Sequence, residues 1–368
     1  MDPLVIIVEE LHDLVFQHFL GQDVKNAFLC SKNWNVIVSE SKVCMSKIKI
    51  DFSYTREDNV VNDQIRKLYN FYVRAGPRPY QNLDINVKKG ITAEIPKECF
   101  QILELMIPFL TDIVLMNVIA SDIDVGNKFL FPNLQYLRIE FCSQRIYDVF
   151  LKSSKNLISL ELSSEDIPIE IALLFCLKTN TNLKFLHCRV NVFHMIFKTD
   201  VADLFKFQLE KFFYETEQDY HQTGAVTHEN FLKFLKNNCL NLEVIELQTA
   251  DTNIVNCIIN EMKYVREVVI RMLTKNSDIN FNKNRSVELL EVNYIKTVDE
   301  LKPFIDCLPN LKTLNVAELD SDMVFYAATY LVHLTALTYE MIDLNTMEYY
   351  ENLKVTVPNI NKNIDIDW

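Results

Sequence analysis

Glycine is nearly absent, with five in 368 residues. That scarcity removes the Gly-rich loops that cradle phosphates, and it leaves no flexible Gly/Ser linker between domains. No P-loop, His-Glu-x-x-His or Gly-x-Ser-x-Gly motif occurs. Positive charge is also in short supply: 37 Lys and Arg stand against 50 Asp and Glu, for a net charge of −13. Nucleic acid and anionic membrane surfaces need a Lys/Arg stripe, so neither is an expected partner. The nine cysteines are scattered and form no Cys-x-x-Cys. Buried, reduced thiols are the expectation, not a disulfide framework. No basic segment opens the chain, so no secretory signal is expected. The most apolar window, Ile102 to Ala120, contains Glu104, Pro108 and Asp112 and does not read as a membrane span. A cytoplasmic or nuclear location is expected. His187-Cys188 with His194 is the tightest His/Cys grouping. Strand alternation would put His187 and Cys188 on opposite faces, so no metal is expected there. No catalytic constellation emerges, and no cofactor is expected.

What the chain has in abundance is apolar residues, 49% of the total, and they recur in a pattern. Apolar, two variable, apolar, one variable, apolar returns ten times. The clearest copies are Leu134-Gln135-Tyr136-Leu137-Arg138-Ile139 and Leu311-Lys312-Thr313-Leu314-Asn315-Val316. The first apolar position falls at Leu110, Leu134, Leu157, Leu183, Leu209, Leu242, Val265, Val287, Leu311 and Leu334. The steps run from 22 to 26 residues, apart from one of 33 between Leu209 and Leu242. A period in the twenties with this core is the leucine-rich-repeat signature. The expected fold is an α/β solenoid: a horseshoe with a parallel inner sheet and helices outside, over residues 81–368 with a C-terminal cap. Each repeat then buries itself against its neighbours, so the length of the chain needs no single large core. A short helix over Met347–Glu351, a strand over Leu353–Val357 and a polar cover over Asn359–Trp368 complete the expectation.

Within each copy the template residues point into the core, and their neighbours point to the inner face. The exposed columns can therefore be read from sequence. One sector mixes aromatics and cations: Tyr136, Arg138, Phe185, His187, Arg189 and Phe213, followed by Glu215. Such residue types are typical of binding hot spots, so this sector is the candidate for a protein target. The rings could equally pack on one another without a ligand. The excess of the long step falls after Phe213, over Glu215 to Ala225, and insertions in repeats map to loops. Glu246, Glu267, Glu291 and Glu340 with Arg271 read as a solvated acidic sector.

The first fifty residues lack the repeat. Apolar spacing predicts one helix carrying Leu11, Leu14, Val15, Phe16, Phe19 and Leu20, ended by Gly21. A second helix, capped by Asp23, carries Val24, Ala27, Phe28 and Leu29, and a third starts near Asn33 with Trp34. Three short helices make too small a core to stand alone, so this unit packs on the solenoid or receives a partner. Residues 51–80 read as a helical connector: a polar connection over Asp51–Asn59, then a helix with Val61, Ile65, Leu68, Tyr69 and Tyr72. Leu83–Val87 reads as a first edge strand.

Val15-Phe16, Phe19, Asp23-Val24, Leu29-Cys30 and Trp34 fall at the positions that define an F-box, and this segment resembles one. With repeats behind it, the layout resembles the F-box/leucine-rich-repeat family. The family opens its box on Leu-Pro-x-Glu, whereas the matching Ile7-Val8-Glu9-Glu10 lacks the proline. The resemblance implies docking on the Skp1 adaptor, and through it on a cullin, by a surface drawn from Leu11, Leu14, Val15, Phe16, Phe19, Val24, Leu29 and Trp34. It implies a non-catalytic substrate-recognition subunit of a ubiquitin ligase, with the protein target on the concave face. The alternative is a leucine-rich-repeat scaffold or inhibitor whose N-terminal helices only cap the solenoid.

Overall fold

The computed structural model describes residues 12–54, 59–76, 78–88, 95–119, 129–164, 168–190, 193–198, 200–215, 225–274, 279–293 and 295–342. The chain divides into two compact units, Met1–Asn182 and Leu183–Trp368.

The first unit opens with α1 (His12–Phe16), α2 (Gly21–Cys30), α3 (Lys32–Glu40) and α4 (Lys42–Met45). Four described helices thus stand where three were expected. The hydroxyls of Ser31 and Ser41 accept the Trp34 and Cys44 amides and start α3 and α4. Gly21 does not lie past a helix end but begins α2. A Cβ there would sit 2.9 Å from the Lys47 carbonyl, so only glycine lets the two backbones approach this closely. Asp23 is not the N-cap either. It lies three residues inside, and its carboxylate accepts the Leu20 amide at 2.8 Å. The ammonium of Lys47 donates to the carbonyls of Phe16, Gln17 and Phe19 at 2.6, 2.8 and 2.5 Å, which closes the end of α1.

The sheet begins earlier than the periodicity of Leu83–Val87 suggests. Part of the expected polar connection is β1 (Lys49–Tyr54), paired in parallel with β2 (Asn82–Val87). Phe52 and Tyr54 alternate inward and are buried, and the polar residues between them face outward. Leu83–Val87 is therefore flanked on both sides. The connector helix is α5 (Asn59–Ala75), which buries Val61, Ile65 and Tyr72 and packs on α6 (Lys97–Met106). The unit continues with β3 (Asp112–Met116), β4 (Tyr136–Glu140), α7 (Gln144–Ser153), β5 (Ser159–Ser164) and α8 (Glu170–Thr179). Ile50, Leu83, Ile113, Leu137 and Leu160 lie opposite one another along β1 to β5. The repeat is thus a physical register, extended by two strands N-terminal to the copies legible in sequence.

The second unit holds β6 (Phe185–Val190), β7 (Lys211–Tyr214), α9 (Ala225–Asn238), β8 (Val244–Asp251), α10 (Thr252–Glu261), β9 (Glu267–Thr274), β10 (Leu289–Val292), α11 (Val298–Cys307), β11 (Thr313–Leu319), α12 (Ser321–Tyr330) and β12 (Ala336–Ile342). The same template position aligns Leu186, Phe212, Ile245, Val268, Leu290, Leu314 and Leu337. The described strand pairs within each unit are parallel, and helices stand between several of the strands, so each unit is built as an α/β solenoid. Between β6 and β7 the chain forms two 3-10 turns, Phe193–Lys198 and Ala202–Leu204. These fill less volume than a full helix. Phe197, Phe205 and Phe207 supply the bulk and pack around Phe231 and Phe234 of α9. Asp320 accepts the Met323 amide at 2.7 Å and starts α12. The elements expected over 347–368 lie outside the described residues.

Asparagines tie repeat to repeat. Asn133, Asn156 and Asn310 immediately precede a template leucine. Each donates to a carbonyl one repeat back, at Pro108, Pro132 and Arg285 respectively. Asn180 and Asn284 are buried and hold both donors and acceptors of the neighbouring backbone.

Candidate functional site

The predicted docking residues of the N-terminal helices separate into two classes. Phe16 and Val24 are fully buried. Phe16 packs its ring 5.4 Å from Phe19, and Phe19 stacks 6.4 Å from Trp34. These rings hold α1 to the helices after it, so Phe16 and Val24 present nothing to a partner in this arrangement. Val15, Phe19 and Trp34 are half-buried. Leu14 and Leu29 are exposed, Leu29 at 85%. Leu11 lies outside the described residues. Two exposed apolar residues were missed: Leu20, 73% exposed, and Val36. Leu20 was counted on the first helix but sits at the entry to α2. Helical phase within Lys32–Glu40 would have flagged Val36, opposite buried Val38.

On the inner face of the first unit, Tyr136 and Arg138 lie on β4. Tyr136 donates its hydroxyl to Glu161 at 3.0 Å. Burial and then the Glu161 carboxylate push its pKa up to about 12. The guanidinium of Arg138 pairs with Glu140 at 2.7 Å and lies 3.6 Å from Glu161. The expected cation is therefore already matched by carboxylates.

In the second unit the register places His187 of β6 opposite Phe213 of β7. The Phe213 ring lies 5.5 Å from Phe185 and 5.7 Å from His187. The rings do pack on one another, yet Phe185, His187 and Phe213 all stay half-exposed. Arg189 meets the Glu215 carboxylate at 2.5 Å, and His187 Nε2 lies 3.5 Å from the same carboxylate without hydrogen-bond geometry. The face is thus aromatic at its centre and charge-balanced around it. Residues 216–224 of the insertion lie outside the described residues. Cys188 is buried behind His187, as strand alternation requires.

The sector read as solvated acid is more ordered than that. Arg271 bridges Glu246 and Glu291, each at 2.8 Å, and Asn315 donates to Glu291 at 3.1 Å. The hydrogen bond to Glu246 is the largest influence raising the Arg271 pKa. Glu340 is outside the described side chains.

No family model matches the chain, and no curated protein matches it. One solved structure, of a leucine-rich-repeat protein from Leptospira interrogans, is similar over 87% of this chain and 90% of its own, with 12% identity and a TM-score of 0.26. The solenoid assignment rests on the parallel sheets and their register. Among the described residues, no helix is long and apolar enough to cross a membrane, and no group of three or more His, Cys, Asp or Glu is placed to hold a metal ion.

Proposed function

We propose that this chain is the substrate-recognition subunit of a Skp1–cullin–F-box ubiquitin ligase. In this reading it carries out no bond chemistry. The N-terminal helices hold the ligase, the inner sheet face holds a protein target, and proximity raises the effective concentration of the target's lysines. The observation that carries the reading is α2. It buries Val24 and Ala27 but leaves Leu29 and its neighbour Leu20 in solvent. A helix that exposes large aliphatics beside a filled core supports a partner surface. The docking set then shifts from the full list of apolar positions to Leu14, Leu20, Leu29 and Val36.

The test is co-purification of the intact chain with Skp1. Leu20→Asp with Leu29→Asp should abolish retention at micromolar concentration without loss of helix content, because neither side chain supports the core. Absence of Skp1 retention by the wild type would end the ligase reading. On the target side, Phe213→Ala should weaken capture and leave Skp1 binding intact.

One observation favours the scaffold alternative. Arg78 lies 5.3 Å from the Phe28 ring and 4.9 Å from the Phe71 ring, and donates to Asn35 at 3.3 Å. Asn82 donates to the Ser46 carbonyl at 2.6 Å. These ties fix the helices to the first repeat, as a cap needs. A rigid mount serves a ligase too, so Skp1 retention discriminates the two.

A further inference from the structure

At the N-terminal rim of β8 to β10 a cleft of about 520 Å³ opens, lined by Glu210, Glu243, Lys263, Tyr264, Arg266 and Arg285 with Asn241, Ser286 and Glu288. Its charges are not balanced as those of the inner face are. Glu210 is paired with Lys184 at 2.7 Å, and Glu288 with Lys312 at 2.9 Å, both partners lying outside the lining. Among the described residues Lys263, Arg266 and Arg285 have no ion-pair partner. Glu243 is the one lining carboxylate without a pair among those residues. The cleft therefore carries three cations against one uncompensated anion, in a chain whose net charge is −13. The Tyr264 ring is 62% exposed and stands beside them in the sequence.

We propose that this cleft binds a phosphate monoester dianion. Two surplus positive charges match two negative ones. Arg266 and Arg285 precede β9 and β10, so neighbouring repeats each present a guanidinium, whose planar fork pairs two oxygens at once. The volume exceeds that of a phosphate alone, so it also takes the group that carries it. Repeat geometry explains the placement. Glu210, Glu243, Arg266 and Glu288 each follow the first template apolar position and lie in one column, joined by backbone hydrogen bonds from each to the next. Lys263 and Arg285 stand outside that column and make the cationic surplus. This site is separate from the ligase reading and does not depend on it.

The phosphoryl group could arrive on a protein side chain or on a small ester, and the experiment separates the two. The intact chain is titrated by calorimetry at low salt with inorganic phosphate, a phosphoserine tripeptide and the matching serine tripeptide. Saturable binding of both phosphorylated probes is expected, and none of the serine peptide. Tighter binding of the phosphopeptide than of phosphate assigns a phosphorylated protein; equal binding assigns a small ester. Arg266→Gln and Arg285→Gln should each weaken binding about tenfold or more with an unchanged melting temperature. Lys236→Gln, which removes a cation paired elsewhere with Glu261, should not. The proposal is overturned if neither phosphorylated probe binds at millimolar concentration. It is overturned equally if the arginine variants bind as the wild type does, or if Lys236→Gln weakens binding as much as they do.

Discussion

Replacing Asn180 by alanine should do far more damage than replacing Asn156, although both join one repeat to another. Asn180 is 1% exposed. Its side-chain oxygen accepts the Leu157 amide at 2.7 Å, and its amide donates to the Ser154 and Cys176 carbonyls at 2.9 and 2.8 Å. The Cys176 carbonyl keeps a second donor, the Asn180 backbone amide at 3.1 Å. The Leu157 N–H and the Ser154 carbonyl lose the partner that Asn180 gives them. A buried polar group left unsatisfied costs about 1–3 kcal/mol, so the pair should cost about 2–6 kcal/mol. Asn156 donates a single bond to Pro132 from an exposed position, and water can replace it for about 1 kcal/mol or less. Because the chain forms two compact units, a global urea midpoint would mix their transitions. Amide exchange is the better assay. The Leu157 amide should lose at least about 30-fold protection in Asn180→Ala. Unchanged protection there, or an equal loss in Asn156→Ala, would refute the reasoning.

Phe234→Ala should cost about 3–5 kcal/mol, since its ring meets Phe197, Phe205, Phe207 and Phe212 where no full helix fills the layer; a fall in melting temperature of the second unit checks this. Gly21→Ala should cost about 1–3 kcal/mol, because the new Cβ would meet backbone, not a movable side chain; helical circular dichroism on heating should show α1 to α4 melting earlier than in wild type. Burial pushes the thiols of Cys142 and Cys176 up to about 12 and that of Cys257 up to about 11, against 9 in an unfolded chain. The raised values favour the native state below pH 9, and that contribution is lost as pH rises through 9 toward 12, so a melting temperature flat to pH 8 should fall above it. Exposed Cys30 should be alkylated by iodoacetamide in the native protein while Cys176 resists until unfolding.

The repeat was legible because its chemistry is local and periodic. Every described template residue from Leu110 to Leu337 is buried, as alternation along a strand demands. The first strand escaped the pattern for a physical reason. Lys47 stands where the template expects an apolar residue before Ile50 and Phe52, because its ammonium is spent on closing α1. Position on the inner face was equally legible, but partnership was not. Arg138 and Arg189 read only as cations in the columns, and each is matched by a carboxylate two residues along its own strand or just past the end of the next one, a pairing that sequence does not display. The helical unit shows the same limit. An apolar helix face can be assigned, yet which of Phe16 and Leu29 turns inward depends on how α1 to α4 cross.

That matching of charge has a consequence for what the inner face can do. A partner that covers Arg271 must strip water from a cation already satisfied by Glu246 and Glu291, and such a pair adds discrimination more than affinity. Affinity for a target must then come from Phe185 and Phe213, whose rings lose little on leaving water. The same logic makes Arg271 a structural clamp. The carboxylates it bridges are about 80% covered, with side-chain exposures of 18% and 20%, while Arg271 itself is 44% exposed. Arg271→Ala would leave two like charges facing one another on a single face of the sheet. Discounted for the solvent that reaches the guanidinium, the loss should be about 1 kcal/mol. Repulsion between exposed carboxylates is screened within about 10 Å at 0.1 M salt, so the deficit should shrink as salt rises, whereas the wild type should weaken slightly. Thermal melts of both forms across a salt series read this directly. A deficit that stays constant with salt would mean that Arg271 acts through the packing of its aliphatic stem, and the clamp would be steric instead of electrostatic.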